Sequence, residues 1–155
     1  MKTVFRSFSI YFFMIMSVSC LHKKVKSLKC RSMNKEKIVI SNNPLIKEEY
    51  AAVGTARDYD IQLVDSKEQV FIAARDLIHK NWHLLNHTMV ANIPIYLHPY
   101  RTLALQAGTE LDSFSLALIE RSIEELKKGK EPHYNEKTRK DFQDMDLTLF
   151  REVKL

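Results

Sequence analysis

The 155-residue sequence predicts an α/β fold: a small layered structure with a mainly parallel sheet of three or four strands flanked by helices. Three observations predict it. Short β-branched runs alternate along the chain with segments whose apolar residues recur at helical spacing. Residues that cap or break helices stand between the runs. The composition, 45% apolar with only 3 Gly and 4 Pro, supplies a packed core and excludes a disordered or collagen-like chain. Alternation of strand and helix favours layers around a sheet over a helical bundle.

Lys37-Ile38-Val39-Ile40 reads as a buried strand stopped by Ser41-Asn42-Asn43-Pro44. Pro44 suits the first turn of a helix over 45–52, where its missing N–H loses no intrahelical bond. Residues 59–64 alternate as a second strand. Ser66-Lys67-Glu68-Gln69 has capping-box spacing and opens a helix to about His79, with Val70, Ala73, Ala74, Leu77 and Ile78 on its inner face. The stretch 81–100, with His83, His87, Pro94, His98 and Pro99, reads as a short extended segment followed by a loop. A third strand over 102–106 ends at Gly108. Asp112-Ser113 caps a helix that turns Leu116, Ile119, Ile123 and Leu126 inward and closes with Lys127, Lys128 and a glycine stop at Gly129. A last helix over 136–152 carries Phe142, Met145, Leu149 and Val153 on one face.

Two regions divide the chain: a basic, apolar leader over 1–32 and a single α/β domain over 33–155. The formal net charge of +5 belongs to the leader, which holds seven basic side chains and no acid; the remaining 17 basic and 19 acidic residues leave 33–155 at −2. The domain therefore lacks the basic face that nucleic-acid binding needs, and no nucleic acid is expected as a partner. Residues 10–18 form an apolar run behind Lys2 and Arg6 and resemble a signal peptide too short to span a bilayer. Lys23, Lys24 and Lys26 just behind it oppose export. The break in composition at Met33 favours that residue as the true start and a cytoplasmic protein. The alternative is export or a lipid anchor through Cys20, with a membrane as partner only in that case. Both cysteines, Cys20 and Cys30, precede Met33, so the domain has no disulfide, thiolate metal site or cysteine nucleophile.

The candidate ligand-binding residues are Asn42, Asn43, His79, His87, Tyr100 and Arg101. The turn holding Asn42 and Asn43 precedes a helix N-terminus, where backbone N–H groups can receive an anion; the competing reading is a capped turn. His79, His83 and His87 are spaced four apart, so a continuous helix would stack the three rings as metal ligands, though no glutamate is placed as in His-Glu-x-x-His. Tyr100 and Arg101 pair an amphipathic ring with a planar cation fitted to carboxylate or phosphate; otherwise Tyr100 packs and Arg101 joins a surface ion pair. Asp141, Asp144 and Asp146 mark either a partner surface or a solvated helix face. No catalytic residue and no cofactor is assigned by spacing. An enzyme is the less favoured reading, and the sequence does not set the oligomeric state.

The ordered set 38–48 (Ile-Val-Ile-Ser-Asn-Asn-Pro-Leu-Ile-Lys-Glu), Arg75-Asp76-Leu77-Ile78-His79-Lys80, Leu84-Leu85-Asn86-His87, Pro99-Tyr100-Arg101, Ser115-Leu116-Ala117-Leu118-Ile119-Glu120 and 141–147 (Asp-Phe-Gln-Asp-Met-Asp-Leu) resembles the GrdX family. The resemblance begins close to Met33. It implies an accessory protein from the gene cluster for glycine reductase and the related sarcosine or betaine reductases of anaerobic amino-acid fermenters. Subunits of that complex are the implied partners, with assembly, maturation or regulation as the implied role. The alternative function is a small-anion-binding enzyme or sensor of the same pathway, with a small anionic metabolite as ligand. The likeness carries over best at Asn42, Asn43, Pro44, His79, His87, Pro99, Tyr100, Arg101 and the acids over 141–146, while His83 and His98 fall in the stretch where the pattern departs. Asn81-Trp82 stand where the family has Gly-His, Thr88 where Pro is usual, and Ala91-Asn92-Ile93-Pro94 in place of a glycine-containing turn.

Overall fold

The computed structural model describes residues 36–52, 59–90, 92–153 and 155. The leader over 1–32, its two cysteines and the start at Met33 lie outside the described residues. The elements run β1 (Lys37–Ser41), α1 (Pro44–Ala52), β2 (Tyr59–Leu63), α2 (Lys67–Ile78), β3 (Trp82–Leu84), β4 (Thr102–Ala107), α3 (Ser113–Lys127) and α4 (Glu136–Arg151). Among the described residues, no helix is long and apolar enough to cross a membrane.

The α/β class and the flanking helices are as expected, but the sheet is mixed. Its order is β2-β1-β4-β3. Only β1 and β2 are parallel, whereas β4 runs antiparallel to both β1 and β3. The reason lies in the connections. A parallel pair needs a crossover, which α1 supplies between β1 and β2. No helix separates β3 from β4, so the chain doubles back through 85–101 and inserts β4 beside β1.

The pleat sorts the core into two layers. Ile40, Leu103 and Leu105 face α2 and α3, joining Val70, Phe71, Ala74, Ile78 and Ile119. Val39 and Ala104 face the other way and meet Ile46 on α1 and Leu147 and Phe150 on α4. Arg151 on α4 clamps Glu49 on α1 through two hydrogen bonds, which hold the Glu49 carboxyl below its ordinary range.

Most helix starts follow the caps read from sequence. Ser66 Oγ accepts from Gln69 N at 3.3 Å, and Gln69 Oε1 reaches back to accept from Asp65 N at 3.0 Å, one residue beyond a standard capping box. Asp112 caps α3 through Phe114 N as expected, while the cap of α4, Asn135 accepting from Thr138 N, was not read from sequence. Three expectations change. On α4 the buried residues are Asp146, Leu147 and Phe150, while Met145 and Leu149 are exposed, because the face is rotated to bring Asp146 inward. Gly129 does not adopt a left-handed stop; its missing side chain makes room for Tyr96, whose ring would lie 2.5 Å from an added Cβ. The helix at 67–78 ends before His83 and His87 and gives way to β3, so the three histidines do not stack on one helix.

The turn from α2 into β3 needs a residue that accepts left-handed backbone. Asn81 has φ of 67°, the region that glycine enters freely and asparagine tolerates, in keeping with the glycine that the resemblance implies there. Asn81→Gly is expected to leave the melting temperature unchanged or slightly raised. Asn81→Val is expected to cost about 1–2 kcal/mol, from the clash of a branched side chain in that conformation, as read by denaturant melts of the two variants.

Candidate functional site

A polar island lies between the sheet and α4, at the end of the sheet where β1 finishes and β4 begins. Ser41 and Thr102 are opposite one another in the β1·β4 ladder, with hydroxyls 2.8 Å apart. Asp146 reaches them from α4. Its Oδ1 accepts from Thr102 N at 3.1 Å; its Oδ2 accepts from Thr102 Oγ1 at 2.7 Å and from Asn43 Nδ2 at 3.1 Å. Asn43 also donates to the Gln143 carbonyl at 2.9 Å and caps α1 by accepting from Leu45 N at 3.1 Å. Asn42 holds the neighbouring strand of chain, accepting from Arg101 N at 2.7 Å and donating to Pro99 O at 2.8 Å. Asp146 is 1% exposed, and three donors satisfy its carboxylate.

Arg101 is the cation of this region and is only 6% exposed. Its Nη1 lies 3.7 Å from Asp146 Oδ1, within ion-pair range but beyond a hydrogen bond. Nη2 donates to the His87 carbonyl, and Nε has no partner. Burial lowers its pKa, opposed by the attraction of Asp146. Arg101 lines two concavities. One, of about 160 Å³, opens between the 86–89 segment and α4 and is walled by Asn86, His87, Met89, Leu149, Phe150 and Val153. The other, lined by Lys67, Phe71, Thr88, His98 and Tyr100 among others, has a volume of about 10 Å³, room for one water at most.

The smaller concavity is braced by Lys67, whose ammonium donates to the Tyr96 and His98 carbonyls at 2.7 and 3.1 Å and meets Glu131 at 3.1 Å. Tyr134 pins the same loop by donating to Leu97 O at 2.8 Å. His98 packs edge-on against Phe142, ring centroids 4.7 Å apart, and neither ring nitrogen makes a well-formed hydrogen bond. Burial holds its pKa below the ordinary histidine range; Asp146 and the Tyr100 backbone pull it upward, while Arg101 and Lys67 add to the lowering.

A sequence profile of the GrdX-like protein family matches residues 38–153, about three quarters of the chain. The chain belongs to the GrdX-like family. Neither curated proteins nor solved structures provide a match.

In this GrdX-like chain, four of the six candidate ligand-binding residues, Asn42, Asn43, His87 and Arg101, lie around the polar island or its concavity. Tyr100 lines the smaller concavity. His79 stands apart as the exposed C-cap of α2, about 18 Å along the helix from Lys67. The 41–46 turn does not offer its N–H groups to an anion. Asn42 N donates to Arg101 O, Asn43 N to Ser41 Oγ, Leu45 N to Asn43 Oδ1 and Ile46 N to Asn43 O; Pro44 has no N–H. Asp146 is a buried anchor instead of a surface acid, while Asp141 and Asp144 are exposed. His83 lies on β3 and His87 in the loop beyond it, where its Nδ1 accepts from Met89 N at 3.0 Å. Among the described residues, no group of three or more His, Cys, Asp or Glu is placed to hold a metal ion. Lys67 and Asn86 were not among the sequence candidates. Asn86 continues the β3·β4 pairing with its side chain, donating to Thr102 O at 3.0 Å and accepting from Ala104 N at 2.9 Å. The Leu-Leu-Asn-His run behind a short strand is the only local signal that could have marked it.

Two outcomes follow. Asp146→Ala removes the acceptor of Thr102 N and Thr102 Oγ1, one acceptor of Asn43 Nδ2 and the countercharge of Arg101, and is expected to cost about 3–5 kcal/mol in chemical denaturation, the range for breaking a buried charged cluster. His98 is held neutral in the fold, so below the unfolded-chain value of about 6.5 the unfolded state takes up a proton that the native state resists, and stability falls as pH falls. His98→Leu is expected to melt no lower than wild type at neutral pH and to lose less stability between about pH 6.5 and pH 5, measured by melts across that window.

Proposed function

We propose that this GrdX-like chain is a non-catalytic accessory protein that assists the assembly, maturation or regulation of glycine, sarcosine or betaine reductase through direct contact with its subunits. The observation that carries this reading is the apolar rim of the larger concavity. Met89 and Leu149, 42% and 40% exposed, line its mouth, and Met145, 38% exposed, lies one helical turn before Leu149 on α4. Adaptable Met and Leu side chains grouped around a concave surface suit a protein partner, and the exposed acids Asp141 and Asp144 on the same helix supply a polar border. Family membership supports the choice of partner. The sequence supports the non-catalytic reading, since residues 33–155 contain no Cys to carry thiol chemistry. The cytoplasm is the setting this role implies, and the basic residues behind the apolar run of the leader are in keeping with it.

The test is affinity capture of the full chain, tagged at its C-terminus, from anaerobic cells growing on glycine, with partners identified by mass spectrometry. Reductase subunits are expected in stoichiometric yield. Leu149→Asp, at a position 40% exposed, is expected to reduce that yield about tenfold or more, as for loss of one interface anchor. Recovery of the wild-type chain alone, or equal recovery with Leu149→Asp, would overturn the reading.

A further inference from the structure

The larger concavity is asymmetric in its hydrogen-bonding capacity. The side-chain acceptors that line it are engaged: Asp146 accepts three hydrogen bonds from Thr102 and Asn43, and Asn86 Oδ1 accepts from Ala104 N. Its cation is only partly engaged. Arg101 Nη2 donates to the His87 carbonyl, but Nη1 stops 3.7 Å short of Asp146 and Nε is buried without a partner, so the guanidinium has N–H capacity to spare. His87 accepts on Nδ1 from Met89 N, which in the neutral ring places its proton on Nε2 as a further donor. A cavity with engaged acceptors and a buried guanidinium that is only partly satisfied selects an anion, and the planar fork of arginine fits a carboxylate. The rest of the wall is apolar, formed by Met89, Leu149, Phe150 and Val153. A volume of about 160 Å³ is far above the roughly 10–15 Å³ that one water needs, so the site takes a body of several heavy atoms.

We propose that this concavity binds a small monocarboxylate with a short apolar body, its carboxylate on Arg101 and its carbon chain against Leu149, Phe150 and Val153. An amino acid is a poorer fit. The Asp146 side chain has no exposed surface, so an ammonium group would be buried with no free acidic acceptor. Inorganic phosphate would satisfy Arg101 but leave the apolar wall against a strongly hydrated ion. The site stands whether or not a partner docks on the rim above it, since it rests on the donors of the floor.

The experiment is a thermal-shift and calorimetric titration of the purified full chain with the sodium salts of acetate, propionate and butyrate. Propionamide, glycine, phosphate and sodium chloride serve as comparisons. The carboxylates are expected to raise the melting temperature saturably, on the order of 10 °C at one hundred times the dissociation constant. Affinity is expected to tighten about fourfold for each added methylene until the wall is covered. Propionamide and sodium chloride are expected to give no saturable shift, and glycine to bind more weakly than acetate. Leu149→Trp, which fills the concavity from its exposed rim, is expected to keep the wild-type melting temperature in buffer and lose the response. The absence of a saturable carboxylate shift, a response of Leu149→Trp equal to wild type, or phosphate binding as tightly as butyrate would each overturn the proposal. Capture of reductase subunits needs no added carboxylate, so failure here and failure of the accessory reading are separate results.

Discussion

A single buried carboxylate fixes how half of this molecule is put together. Asp146 is about 100 residues from the turn it holds and 44 from the strand it meets, and it binds both at once. A carboxylate taken out of water must recover its lost hydration from fixed donors. Thr102 provides two and Asn43 a third, which sets the rotation of α4 about its axis, the approach of the 41–44 turn and the start of β4 together. The outward position of Met145 and Leu149 follows from the same constraint. Turning the helix to bury those two in place of Leu147 and Phe150 would carry Asp146 away from its donors. The exposed rim and the buried cluster are therefore two consequences of one choice of helix face.

What the sequence disclosed is what local interactions decide. The caps at Ser66 and Asp112, Pro44 in its helix's first turn and the inner face of α2 were legible because each depends on residues within a turn or two. The sheet was read as mainly parallel because the alternation of strand and helix implied crossovers throughout. The unpatterned stretch before β4 hid the reversal that makes it mixed. On α4 an apolar stripe of Phe142, Met145, Leu149 and Val153 looked better than the true one, which contains an acid. A buried aspartate cannot be distinguished from a surface one by spacing, since the distinction lies in donors far along the chain. Lys67 was hidden in the same way. As the residue after a cap it reads as exposed first-turn lysine, yet its ammonium is held by two carbonyls and an acid from loops nearly thirty and more than sixty residues away.

The candidate site was legible in its members more than in its workings. Asn42, Asn43 and Arg101 do converge, but Asn42 engages the backbone of 99–101 and so holds Arg101 in place, while Asn43 ties its own turn to Gln143 and Asp146 on α4. The resemblance at Pro-Tyr-Arg found the guanidinium without showing that it is almost wholly buried. His79 belonged to the same family-like run as Asp76 and Lys80, and its position at the far end of α2 could be known only once the helix was seen to stop before β3.

The chain contains its own standard for judging whether Arg101 is simply a structural ion pair. Arg151 and Glu49 join α4 to α1 on the surface through two parallel N–H···O bonds, the geometry that an arginine and a carboxylate adopt when they meet freely. Lys67, as buried as Arg101, has all of its proton-donating capacity directed at two carbonyls and Glu131. Arg101 has neither arrangement. It faces a carboxylate whose oxygens are already occupied by Thr102 and Asn43, at a distance that gives Coulomb attraction without a hydrogen bond, and one of its nitrogens is left unpaired in a desolvated setting. Unpaired buried donors are costly, and folded proteins keep few of them. A lysine would have met the electrostatic need of Asp146 with fewer N–H groups to satisfy. The planar fork is explained by a ligand that completes it.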